Sequence, residues 1–455
     1  MAERRRLTVK ARTRVARPSP AATSPWLAAA REVALELLDT AIVRGPHVTW
    51  VGDDIVGDTA SAHVVRGEVG ADLYAGTAGI GWSLVHLGAA TADARCVQVG
   101  VAALRSAVSQ VRKAELAPLG LCSGAAGIAW AAVDASQAAA DATLRRSALS
   151  LAQDVARRVR DRPTAHEEFD LIGGLAGVVI ALLATHHATG DALILEGATA
   201  AAHRLAARAV RDGFGASWPT ATSEPGLCGL GHGASGAAWA LAEAGRMTGV
   251  EAWQPLVSEA LRYEAGWYSP DRLAWADLRE PPSGGADASW PGWMAAWCHG
   301  AFGIGAVRWR LYEVSGDLSA LADASRAVEA ARQAVTMAGR ARRNGLASDV
   351  TLCHGLGGAL DLLLLAHEVT GERDHLLAAR RVADLCLAIR AANGGRWTVG
   401  LRGAEVIPGL FTGLAGIAVL LLRAHDPGAV SSPMLPGRWV GRSRQDVQPS
   451  ASAST

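Results

Sequence analysis

Two kinds of apolar pattern alternate along this chain. In the first, nearly every face is apolar, as in Val178-Val-Ile-Ala-Leu-Leu-Ala184 and Leu362-Leu-Leu-Leu-Ala366, which predicts a helix buried on all sides. In the second, Leu, Val and Ala recur at three- and four-residue spacing with Arg, Glu or Asp between them, which predicts an amphipathic helix. Trp26 to Arg44, Asp141 to Arg162 and Leu318 to Arg340 are the first, third and sixth of these. Every buried segment runs for roughly ten to fourteen residues and follows a Gly-x-x-Gly turn. The turns begin at Gly76, Gly124, Gly174, Gly233, Gly300, Gly355 and Gly413, roughly 50 to 65 residues apart, enough for two helices and their loops. A glycine at a turn entering a buried helix allows close backbone approach and positive φ.

Seven buried segments alternating with seven amphipathic ones predict an all-α fold, an α/α toroid with seven inner helices wrapped by seven outer ones. Strand signals are sparse, Arg396-Trp-Thr-Val-Gly-Leu401 being the best. Residues 1–25 are Arg-rich with Glu3 as the single acid and lack the apolar stretch of a secretory signal, so they read as a disordered basic arm. Residues 26–427 form the toroid. From 428 to 455 the chain turns to Pro, Ser, Gly and Arg and reads as a disordered tail. Tyr268 to Gly292 is a long loop rich in Pro, Gly, Asp and Trp, placed as a lid or wall beside Cys298, or as a solvated insertion.

Composition adds exclusions. Of 455 residues, 44 are Lys or Arg and 43 Asp or Glu, and without a basic stripe a nucleic-acid partner has little support. No apolar run of about 20 residues is free of charge or glycine, so no membrane span is predicted. Six cysteines scattered over so long a chain are no disulfide scaffold, which favours a reducing, cytoplasmic setting.

The candidate chemistry emerges when the seven turns are aligned on their first glycine. The preceding residue is Ala75, Ser123, Gly173, His232, His299, His354 or Thr412, and the one before it Tyr74, Cys122, Ile172, Gly231, Cys298, Cys353 or Phe411. In a ring these positions crowd round one end of the axis, gathering three of the thirteen histidines and three of the six cysteines. Thiolate and imidazole are ligands that zinc prefers, and three protein ligands with an open fourth place make a catalytic site. Cys298, Cys353 and His354 give such a set. His299, His232 and Cys122 compete for places in it, and a closed four-ligand structural site is the alternative.

Trp297-Cys-His-Gly-Ala-Phe-Gly-Ile-Gly305, Leu352-Cys-His-Gly355, Gly231-His-Gly-Ala-Ser-Gly236 and Pro408-Gly-Leu-Phe-Thr-Gly-Leu-Ala-Gly416 resemble the signature turns of the lanthionine synthetase C-like cyclases, most of all the cyclase domain of bifunctional class II synthetases. The resemblance runs from about Trp26 to Pro427. It implies an α/α toroid with one zinc held by Cys298, Cys353 and His354. It also implies formation of (methyl)lanthionine rings, by addition of a cysteine thiol to dehydroalanine or dehydrobutyrine in a dehydrated precursor peptide. By the same resemblance His232 takes the acid/base position, Asp170 falls where an Asp lies near that histidine, and His299 stands beside the ligands or acts as an acid. For Asp170 a helix N-cap is the competing reading. Two departures stand out: Met294 occupies a position where some members carry an enolate-stabilising Arg, and Ala75 one where Asp is common. The toroid uses nearly all of the chain, so dehydration is expected from a separate dehydratase. Addition of an external thiol such as glutathione, and a non-catalytic peptide-binding scaffold, are the alternatives.

Overall fold

The computed structural model describes residues 24–56, 63–114, 118–161, 168–220, 225–279, 291–399, 404–405 and 407–437. Among them fourteen α-helices alternate as the apolar pattern predicts. An amphipathic helix, α1 (Pro25–Asp39), comes first, with the Ser24 Oγ accepting a hydrogen bond from the Leu27 N–H. Six pairs follow, each a buried helix and then an amphipathic one: α2 (Thr77–Thr91) and α3 (Ala94–Lys113), α4 (Ala125–Ala138) and α5 (Ala142–Asp161), α6 (Leu175–Thr189) and α7 (Ala192–Ala207). The sequence continues with α8 (Ala234–Thr248) and α9 (Gln254–Gly266), α10 (Ala301–Ser315) and α11 (Leu318–Arg343), α12 (Leu356–Thr370) and α13 (Arg373–Ala392), and α14 (Leu414–His425) is the last buried helix. The even-numbered helices pack side by side as an inner ring, which closes where α14 meets α2, and α1 covers α14 from outside. The result is an α/α toroid with seven helices in each layer.

The turns entering the inner helices are bonded to one another. Tyr74 N–H donates to the Cys122 carbonyl at 3.1 Å, Cys122 to Ile172 at 2.9 Å, and Leu171 to Gly231 at 3.0 Å. Gly231 donates to Cys298 at 3.0 Å, Trp297 to Cys353 at 2.8 Å, Cys353 to Phe411 at 2.9 Å, and Phe411 back to Tyr74 at 2.9 Å. A closed collar of backbone hydrogen bonds thus links all seven repeats at one end of the axis. Such groups, buried here, need partners, and each bond contributes about 0.5–1.5 kcal/mol net. The collar puts the aligned positions of the seven turns in one ring.

Strands are short and lie between helices, in places that the helical pattern does not mark. β1 (Ile42–Arg44) pairs with β2 (His47–Thr49), β3 (Val51–Val56) with β4 (His63–Glu68), and β5 (Val210–Asp212) with β6 (Gly215–Ser217), all antiparallel. The amphipathic segment expected to reach Arg44 therefore ends at Asp39, because Ile42 and Val43 enter a hairpin that turns at Gly45, φ +61°. The segment expected as a loop from Tyr268 to Gly292 contributes a small sheet, β7 (Tyr268–Ser269), β8 (Ala274–Asp277) and β9 (Gly292–Trp293), anchored by the buried Trp275. Residues 280–290 of that segment lie outside the described residues.

The best strand signal fails. Residues 396–399 form no strand, since Thr398 makes only isolated bonds with the Val350 N–H and the Ser348 carbonyl while Trp397 lies under the Arg390 guanidinium. The tail expected from residue 428 also begins too early. Met434 and Leu435 are fully buried, the Met434 carbonyl accepts from Trp297 Nε1 at 3.2 Å, and the Val430 carbonyl accepts from Arg423 Nη1 at 2.6 Å. Packing against elements remote in sequence orders residues 428–437. The rest of the tail and residues 1–23 of the basic arm lie outside the described residues.

Candidate functional site

Cys298 and Cys353 come to the collar end on successive repeats, each held by its own backbone bonds. Gly300, at the start of α10, adopts φ +111°, and a Cβ there would lie 1.7 Å from the Met294 carbonyl oxygen. Only glycine permits this entry, and it aims the preceding Cys298-His299 pair toward the axis. Gly231 is confined in the same way, since a Cβ would lie 2.9 Å from that of Cys298. The His232 turn and the Cys298 turn are therefore in direct backbone contact.

The facing donor atoms of Cys298, Cys353 and His354 all lie within 4.8 Å of one another, with both cysteines buried and His354 exposed. The Cys353 Sγ is 3.4 Å from the His354 Nε2. A tetrahedral zinc, with Zn–S about 2.3 Å and Zn–N about 2.0 Å, needs its donors about 3.5–4 Å apart, so this trio fits the ion with little rearrangement. Among the described residues it is the one cluster of three such side chains close enough to share an ion. Cys122 shares the ring position but is not part of the trio; burial, with Asp170 nearby, pushes its thiol well up. The Cys298 thiol is drawn well below its ordinary range by the hydrogen bond from Cys353, which outweighs burial, with the His354 ring helping. Burial holds Cys353 up as its partner ionises.

Around the trio stand three further groups. His232 Nδ1 lies 2.5 Å from Asp170 Oδ2, and Asp170 Oδ1 accepts from the Gly173 and Gly174 N–H groups at 2.8 and 3.0 Å. Asp170 thus meets the imidazole with one oxygen and braces the turn with the other, while the N-cap of α6 is Gly174 and not Asp170. Burial opposes the charged form of His232, but the hydrogen bond and charge of Asp170 together prevail and raise its pKa. His299 stacks on His232 with ring centroids 5.3 Å apart. Burial, helped by Arg279 and His232, pushes His299 down to about 4, so it stays neutral.

Arg279, just past β8, carries no motif in the sequence that marks it. Its Nε and Nη2 bind Asp277 at 2.9 and 2.6 Å, and its Nη2 lies 3.8 Å from Met294 Sδ. It is within electrostatic reach of Cys298, Cys353, His232, His299 and His354. Tyr74, named only as an aligned position, donates its hydroxyl to Cys353 Sγ at 3.0 Å. Neither contact has a sequence signature: Tyr74 reaches Cys353 from another repeat, and the sheet of β7, β8 and β9 carries Arg279 to Met294.

The turn carrying His232 is braced from outside. Glu264 on α9 is wholly buried and accepts from the Gly229 and Ser235 N–H groups at 2.8 and 3.0 Å, while Arg308 on α10 pairs with it at 2.8 Å. An outer-layer carboxylate thereby fixes an inner-layer turn.

The family model described as lanthionine synthetase C-like protein matches residues 67–436. A glutathione S-transferase LANCL1 of Danio rerio is 26% identical over 211 residues, which are 45% of this chain and 44% of that protein. The chain thus matches less than half the length of this curated relative. The solved structure of nisin cyclase is 19% identical, superposes with a TM-score of 0.55, and the match covers 78% of this chain and 89% of that one, which supports the toroid fold.

Proposed function

The chain belongs to the lanthionine synthetase C-like family, and on that premise we propose that it is a zinc-dependent thioether-forming cyclase acting on a dehydrated precursor peptide. The observation that carries the reading is the Cys298, Cys353 and His354 trio, which leaves a tetrahedral ion one open place. Bound there, zinc would supply the positive charge that lets a substrate cysteine shed its proton near neutral pH. The donor set suits it, two thiolates and one imidazole being a known catalytic zinc combination.

The protein's own residues account for the remaining chemistry. The sulfur adds to the β-carbon of the dehydro residue, the double-bond electrons move onto the carbonyl oxygen, and a proton must reach the α-carbon. His232 is the acid in this reading, because Asp170 holds its Nδ1 and leaves Nε2 to face the substrate. His299, kept neutral and stacked against it, positions the ring and is not the acid. Arg279, fixed by Asp277, offers the developing oxyanion a guanidinium from just past β8 in place of the one that Met294 does not supply. The thiol proton leaves and another is gained at carbon, so the product is isomeric with the substrate. A separate dehydratase would prepare the peptide.

Likeness to a glutathione S-transferase favours a second reading, addition of an external thiol. Mass spectrometry separates the two. Incubation of a dehydrated, cysteine-containing peptide with enzyme and glutathione is expected to consume the peptide thiol at constant mass. A gain of one glutathione mass supports the second reading and overturns the first.

A further inference from the structure

An enzyme that handles an electrophilic alkene beside its own two cysteine sulfurs must keep those sulfurs from attacking it. Cys353 has a group suited to this. We infer that Tyr74 is a positioning residue for Cys353: its hydroxyl, donated to Sγ at 3.0 Å, holds the thiolate as a ligand and suppresses its reactivity as a nucleophile. This rests on the zinc reading above.

The donor is rigidly placed. Its backbone is bonded on both sides within the collar, to Cys122 and from Phe411. Its ring stacks on Phe411 with centroids 5.0 Å apart and planes 8° from parallel, and Phe411 in turn meets Trp297 at 4.5 Å. Nothing else in the turn requires a hydroxyl: the aligned Phe411 fills the adjoining place on the axis without one. A hydrogen bond to a thiolate draws charge from the sulfur, lowering its nucleophilicity and leaving the metal's pull for the fourth position. Substrate sulfur, lacking such a donor, would then be more reactive than that of Cys353. Partners of metal ligands commonly act this way, fixing orientation and tuning donor strength.

Tyr74→Phe keeps the ring stack and removes only the donor. Zinc-loaded wild type and variant would be treated with N-ethylmaleimide, and alkylation of Cys298 and Cys353 followed separately by peptide mapping, with bound zinc measured in parallel. Losing one charge-assisted hydrogen bond is expected to speed alkylation of Cys353 about tenfold while Cys298 reacts as in wild type. Equal rates at Cys353 in the two proteins, with zinc bound in both, would overturn the inference and leave the zinc reading standing. A general loosening, in which both cysteines accelerate together, would also overturn it. Wild type that takes up no zinc would remove the reading on which it depends.

Discussion

His232 and His299 share a stack but are shifted in opposite directions. Asp170 raises the pKa of the first, whereas burial and the nearby Arg279 depress that of the second. A general acid must be protonated, so cyclisation is expected to fall as pH rises through the raised pKa of His232. Asp170→Asn removes the charge that raises it and should move this alkaline fall to lower pH, visible in a rate profile at saturating peptide. His232→Ala should lower the cyclisation rate about 10²–10⁴-fold with zinc content unchanged, and an unaltered rate would assign the proton to another group. These histidines could be picked from the sequence because each immediately precedes a repeated glycine, and Asp170 through the family resemblance. Arg279 could not, since only the sheet of β7, β8 and β9 carries it to Met294.

Helices were the legible elements. Buried and amphipathic patterns differ in every turn of α6 and α5, and the alternation alone specifies two layers. The hairpins were not, because two or three β-branched residues carry no period against a helical background, and residues 396–399 show that a short strand-like run need not find a partner. What the pattern also hid is how the layers communicate. Glu264 lies on an outer helix, yet it bonds the backbone of the turn that presents His232 and pairs with Arg308, both side chains fully buried. Removing Glu264 leaves the buried Arg308 with Asp323, at 3.3 Å, as its remaining carboxylate and frees the Gly229 and Ser235 N–H groups, so Glu264→Ala should cost about 3–5 kcal/mol in urea unfolding. A loss below about 1 kcal/mol would show that the brace is dispensable.

At the scale of the whole molecule, the collar joins seven turns that are as far as 337 residues apart, Tyr74 to Phe411, into one ring. Register in the sequence was enough to predict that the cysteines and histidines share an end; it contained nothing about the bonds that hold them there. The same applies to residues 428–437, whose composition suggests solvent but whose Met434 and Leu435 fill the core. Truncation after Pro427 should therefore lose about 3–6 kcal/mol, at about 1.5–3 kcal/mol for each of these buried side chains, whereas truncation after Gly437 spares both. Thermal melts of the two truncations would decide it, and equal stability would restore the earlier boundary. If the ring holds a metal that activates a substrate thiol, protein stripped of metal should be inactive until zinc returns. The rate of thiol loss from a dehydrated cysteine peptide is measured with chelator-stripped protein before and after one equivalent of zinc is restored. Thiol is expected to be lost at constant peptide mass only after zinc is restored, and an equal rate without the metal would show that no metal activates it.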